Sequence, residues 1–178
     1  MSNFRRLFLY PTTMRKIVFI LTIALLSFST VAQTSEGPKG LAEIAEALRG
    51  TDDAKVLKDL RPSKKDVAAI FNDGSCQETI MNYIDKMYGA MEGDVINPRA
   101  KYTDLIYFSE NTSTFINGES HNFPGGFNGE LKSCFKENID VHLIKYVEPG
   151  MTSGFSLNCF IFVNEHWILI PKPYRAFN

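Results

Sequence analysis

The sequence predicts an α+β fold in which N-terminal helices pack on a curved, mainly antiparallel sheet. Three observations predict it. Apolar residues recur at helical spacing as far as Met91. β-Branched and aromatic runs broken by Gly, Pro and Asn take over from Tyr102. The chain closes on "FIFVNEHWILIPKPYR" (160–175), where two apolar runs flank Asn164-Glu165 as strands flank a tight loop. Helices first and strands afterwards is the order of an α+β domain rather than of alternating βαβ units.

Residues 1–32 read as an export signal. Arg15 and Lys16 precede "IVFILTIALL", an apolar run too short for a bilayer span of about 20 residues. Small Thr30 and Ala32 are placed for cleavage before Gln33. The expectation is therefore a secreted or periplasmic protein with no membrane span after cleavage. Loss of this leader takes away Arg5, Arg6, Arg15 and Lys16 and no acid. It leaves 15 basic against 20 acidic side chains, a net charge of −5. A negative surface repels phosphate backbones, so nucleic acid is not an expected partner.

Residues 33–40, "QTSEGPKG", read as a flexible lead-in to one domain spanning 41–178. Leu41, Ile44, Ala45 and Leu48 make the first helical stripe, ended by Gly50. Thr51 is placed to cap a short helix carrying Val56, Leu57 and Leu60. Ser63 with Asp66 three residues on is a capping-box pattern, followed by the stripe Val67, Ile70 and Phe71. Ser75 with Glu78 repeats that pattern before the longest stripe, Cys76, Ile80, Ile84, Met87, Tyr88 and Met91, with Gly93 and Asn97-Pro98 beyond its end.

Strands are expected over 102–109, 113–120 and 138–147. Asn117-Gly118 is a hairpin signal, and "FPGGFNGE" (123–130) must bend sharply. In the terminal hairpin a two-residue loop at Asn164-Glu165 sets Val163 opposite His166, Ile161 opposite Ile168 and Cys159 opposite Ile170. Phe155 and Leu157 then continue that face. The other face pairs Phe162 with Trp167 and Phe160 with Leu169. A strand apolar on both faces near its tip is covered on both sides there. The long helix is one candidate cover, and a sheet curving over its own pocket is another.

The segments "FPGGF", "EPGMTSG" and "HWILIPKPYR" resemble the endings of small exported bacterial proteins with a Trp…Pro-Lys-Pro-aromatic-Arg hairpin. N-terminal helices before a bent sheet also resemble the NTF2-like and cystatin-like cone folds. That resemblance implies a sheet wrapped around a pocket. It implies no activity, because NTF2-like domains host both enzymes and non-catalytic binders.

Candidate site residues follow from the same reading. Phe160, Phe162 and Trp167 form an apolar wall or, alternatively, plain core. Tyr174 and Arg175, beside Lys172, sit at the rim or, alternatively, at a solvated chain exit. Asp140 and His142 share a strand face and with His121 make a possible acid–base group, or simply a solvent-facing polar edge. Three cysteines allow one bridge. Cys76 and Cys159 fall on apolar stripes, and Cys134 lies in a polar segment, so a bridge is expected between Cys134 and Cys159 if one forms. No metal-ligand spacing, phosphate loop or nucleophile elbow occurs, and no cofactor or metal is expected. The functional expectation is an exported, non-catalytic domain binding a small ligand or an envelope protein. The alternatives are a small NTF2-like enzyme or an inhibitor or assembly protein acting through "SHNFPGGFNG".

Overall fold

The computed structural model describes residues 38–49, 53–91, 98 and 100–177. The leader, the Thr51 cap, Gly50, Gly93 and Asn97 lie outside the described residues. Helix α1 spans Pro38–Ala47 and buries Leu41, Ile44 and Ala45, and Leu48 in the turn after it completes the expected stripe. It begins inside the expected lead-in because proline is pre-shaped for the first helical turn. Helix α2 spans Asp53–Asp59 and α3 spans Lys64–Ile70. Ser63 caps α3 in a reciprocal box with Asp66, as its sequence requires. Helix α4 spans Ser75–Gly89 and buries Ile80, Ile84 and Tyr88. Here the expected Ser75–Glu78 box does not form. Gly74, at φ 76°, takes the cap position and Ser75 becomes the first helical residue. Among the described residues, no helix is long and apolar enough to cross a membrane.

Strand β1 spans Asp104–Asn111 and runs into α5, Thr112–Asn117. The expected strand over 113–120 is therefore a helix. Asn111 caps it by accepting from the Ser113 N–H, and Gly118 closes it at φ 71°. Asn-Gly signals positive φ, and a helix C-terminus uses that conformation as readily as a hairpin does. A 3-10 turn at Gly125–Asn128 and the short α6, Leu131–Cys134, follow. Strands β2 (Asp140–Val147), β3 (Gly154–Val163) and β4 (His166–Leu169) complete an open antiparallel sheet of order β1-β2-β3-β4. A last 3-10 turn covers Pro173–Phe177.

The β3–β4 register matches the expected pairing, from Val163 with His166 to Phe160 with Leu169. The β2–β3 register departs from strict alternation. His142 faces Phe160, yet Ile144 faces Leu157, so Cys159 is an extra residue at φ 69°. This bulge carries Leu157 and Phe155 to the face of Phe160, against the expectation that they share the face of Ile161. One sheet face thereby collects Ser109, His142, Ile144, Tyr146, Phe160, Phe162 and Trp167. Helix α1 reaches that face through the Tyr146 hydroxyl, which donates to the Ala45 carbonyl at 2.9 Å. The Leu169 N–H donates to the Leu60 carbonyl, so the chain after α2 closes the β4 edge.

The disulfide joins Cys76 to Cys134, and Cys159 is a free, buried thiol. This corrects the expected Cys134–Cys159 bridge. The backbone explains the choice. Phe71 bridges to Phe135, and the Asn72 N–H donates to the Cys134 carbonyl at 2.8 Å, so the start of α4 lies against α6. The Cα atoms of Cys76 and Cys134 are 5.4 Å apart, within the normal reach of a bridge.

Candidate ligand-binding cleft

A cleft of about 520 Å³ opens at one end of the sheet, between the β3–β4 tip and α3. Its walls are built by register. Ser109 pairs with His142 across β1 and β2, Asn111 pairs with Asp140, and Phe162 pairs with Trp167 across β3 and β4. Partners face the same side of a sheet, so these side chains converge on one surface. Ala69 and Ile70 of α3 form the opposite wall, and Asn138 and Ile139 form the end before β2.

Trp167 is the floor. It is wholly buried, with Phe162 edge-on at 5.5 Å and the His142 ring edge-on at 5.2 Å between ring centroids. The cover over the tip is the short α3, while the long α4 reaches β4 further along. There the Tyr88 hydroxyl donates to the Leu169 carbonyl at 2.8 Å.

His142 is half-buried, and its Nδ1 lies 2.6 Å from Ser109 Oγ. Burial holds its imidazole below the usual histidine range, against the upward pull of the Asp140 carboxylate. The ring is therefore neutral at pH 7 and keeps both donor and acceptor capacity. Asp140 is exposed and accepts from Asn111 Nδ2 at 3.0 Å.

The two walls are tied together at their rim. Asp66, 1% exposed, accepts from the Ser63 N–H at 2.8 Å and the Ser63 hydroxyl at 2.6 Å. Its other oxygen, Oδ1, accepts from Asn164 Nδ2 at 2.7 Å, while His166 Nε2 stands 3.3 Å from Oδ2, the oxygen that Ser63 holds. Burial pushes this carboxyl up, but the hydrogen bonds from Ser63 and Asn164 outweigh burial and hold it below the usual carboxylate range. The hairpin tip is thus clamped onto the first turn of α3. Asn164 and Glu165 take positive φ values of 49° and 69°, as a tight two-residue hairpin loop requires.

The structure brings together some of the expected site residues and separates others. Phe162, Trp167, Asp140 and His142 share the cleft. Phe160 is fully buried in the row behind it, opposite His142. Tyr174 is not at the rim. It packs on the glycine-rich turn, where a Cβ at Gly126 would come within 2.5 Å of its ring, and its ring centroid is 5.7 Å from that of Phe127. Arg175 follows it on the same turn at the chain exit and lines no part of the cleft.

His121 is also apart. Its Nδ1 accepts from the Phe123 N–H, its Nε2 lies 3.0 Å from Asn128 Oδ1, and its ring stands edge-on to Phe115. It orders the loop 121–128, whose Phe123 and Phe127 point into the core. Among the described residues no cluster of three or more His, Cys, Asp or Glu side chains is placed to hold a metal ion.

Sequence reasoning missed Ser109, Asn138, Ala69 and Ile70 as cleft residues, and missed the Asp66–Asn164 clamp. Ser109 meets His142 only through the β1–β2 register. Asp66 was visible as a capping residue, but nothing in its neighbourhood points to Asn164. Comparison with protein-family models, with curated proteins and with solved structures finds no match.

Proposed function

We propose that this protein is an exported, non-catalytic domain that binds a small ligand in the cleft between α3 and the β3–β4 tip. One observation carries the reading. An apolar wall of Phe162 and Ala69 over the Trp167 floor meets four polar residues, Ser109, Asn138, Asp140 and His142, in a cleft of about 520 Å³. Small-molecule sites have this composition and this size. Kinship with NTF2-like cones belongs to the same proposal, supported by an open antiparallel sheet with helices on it. Export is supported by the leader pattern and by the Cys76–Cys134 bridge, since disulfides persist in oxidising compartments.

The chain has one tryptophan, Trp167, so intrinsic fluorescence reports on the cleft floor without labelling. A ligand screen read by that emission and by the thermal midpoint tests the reading. Binders are expected to shift both, and Phe162→Ala is expected to abolish the fluorescence response. A binder that Phe162→Ala leaves unaffected would place the site elsewhere.

A second reading uses the same residues for acid–base chemistry. It is favoured by the 2.6 Å contact between Ser109 Oγ and His142 Nδ1 and by a neutral imidazole suited to accept a proton. His121 has no part in it. Under this reading the wild type turns over a bound ligand and His142→Ala does not. Under the first reading neither protein changes the ligand.

A further inference from the structure

We propose that the ligand of this cleft is an amphipathic organic cation, with an apolar group against Phe162 and Ala69 and an ammonium group at Asp140. This rests on the cleft reading above and names the chemical class the cleft selects. Six of the ten residues that line the cleft are apolar, and the other four are Ser109, Asn138, Asp140 and His142. No lysine or arginine is among them, and Asp140 is the one carboxylate. A carboxylate beside a low-dielectric wall attracts cations and repels anions.

The hydrogen-bond inventory points the same way. Among the described residues, Asn111 is the donor to the Asp140 carboxylate and it reaches Oδ1 alone. A carboxylate offers about four acceptor sites, so most of its capacity is left for further donors. An ammonium brings three donors and no acceptor, which matches that surplus. The remaining methylene or ring surface would lie on Phe162, whose face stays partly open, above the wholly buried Trp167. Attraction of the cation by aromatic faces adds to the preference. The negative charge expected of the leaderless chain, −5, raises the local concentration of such a ligand.

The test compares three probes of one shape: 2-phenylethylammonium, 2-phenylethanol and 3-phenylpropanoate. Each is titrated into the full chain at low ionic strength and followed by Trp167 emission and by calorimetry. The ammonium is expected to bind about tenfold more tightly than the alcohol, as a charge-assisted hydrogen bond would give. The carboxylate is expected to bind most weakly, and the spread should shrink with added salt. Asp140→Asn, at an exposed position, should fold normally and bring the ammonium to the affinity of the alcohol.

Equal affinity of the three probes, tightest binding of the carboxylate, or an ammonium preference that survives Asp140→Asn would overturn the cation assignment and leave the cleft reading standing. Absence of binding by all three probes would overturn the cation assignment, and probes that bind wild type and Phe162→Ala alike would sink the cleft reading with it.

Discussion

Asn164 Nδ2 donates to Asp66 Oδ1 at 2.7 Å, and this one bond joins the β3–β4 loop to the cap of α3. The two partners carry the opposite walls of the cleft, so the clamp sets its width. Asp66→Ala removes the acceptor for three donors and half of a capping box. A loss of about 2–4 kcal/mol is expected, the size seen when a cap and a buried hydrogen-bonded charge go together. Asn164→Ala should cost about 1 kcal/mol. A double-mutant cycle by urea denaturation checks the pair. Strict additivity of the two losses would mean that the bond does no coupling.

Stability should fall in two steps as pH drops. The folded His142 binds its proton below the unfolded value of 6.5, because burial disfavours the charged ring. From 6.5 down to the folded value the unfolded state holds more protons, so stability declines through that window. The Asp66 carboxyl is also depressed in the fold, from an unfolded value of 3.8. Its contribution is complete above 3.8 and disappears as pH falls through the folded value. Denaturation midpoints measured from pH 7.5 to 2.5 check both limbs. His142→Gln is expected to flatten the upper limb and Asp66→Asn the lower.

The Cys76–Cys134 bridge closes a separation of 58 residues. Loop-closure entropy for that length is about 4 kcal/mol at 25 °C, the upper figure for its contribution. Cys76→Ala with Cys134→Ala should lower the thermal midpoint markedly, and a thiol titration of the unfolded wild type should find one free group, Cys159. Finding three free thiols in freshly purified oxidised protein would contradict the pairing.

Trp167→Ala should cost about 3–5 kcal/mol, as truncation of a large core ring does. The indole is at once cleft floor and core, with Phe162 and His142 against it. Chemical denaturation gives the number. A variant of native stability that loses only its ligand would make the ring a binding group and not a packing one.

The terminal hairpin was legible in the sequence because its two apolar runs flank a pair of residues able to take positive φ. Its register could be written down residue by residue, and the need for a cover over its tip followed from apolar faces on both sides. The first two helical stripes and the Ser63–Asp66 cap were equally local. What failed was non-local or ambiguous. Asn117-Gly118 signals positive φ without saying whether a helix or a strand precedes it. The Cys159 bulge leaves no mark in an uninterrupted apolar run, yet it decides which face Leu157 joins. Cys76 looked buried for packing because its partner is brought by the Phe71–Phe135 bridge, a contact that only the folded chain supplies. Four of the ten cleft residues were legible as residue types, Phe162, Trp167, Asp140 and His142. Their assembly with Ser109 and α3 was not, because that requires the register of β1 and the clamp at Asp66.

Two-dimensional amide and indole NMR of the uniformly labelled protein, titrated with 2-phenylethylammonium, tests the cleft most directly. Saturable shifts are predicted at Ala69, Ile70, Ser109, Asp140 and His142 and at the Trp167 indole N–H, with the loop 121–128 and the 3-10 turn at 173–177 unmoved. Shifts confined to those two segments, or none at millimolar probe, would contradict a binding site beneath the β3–β4 tip.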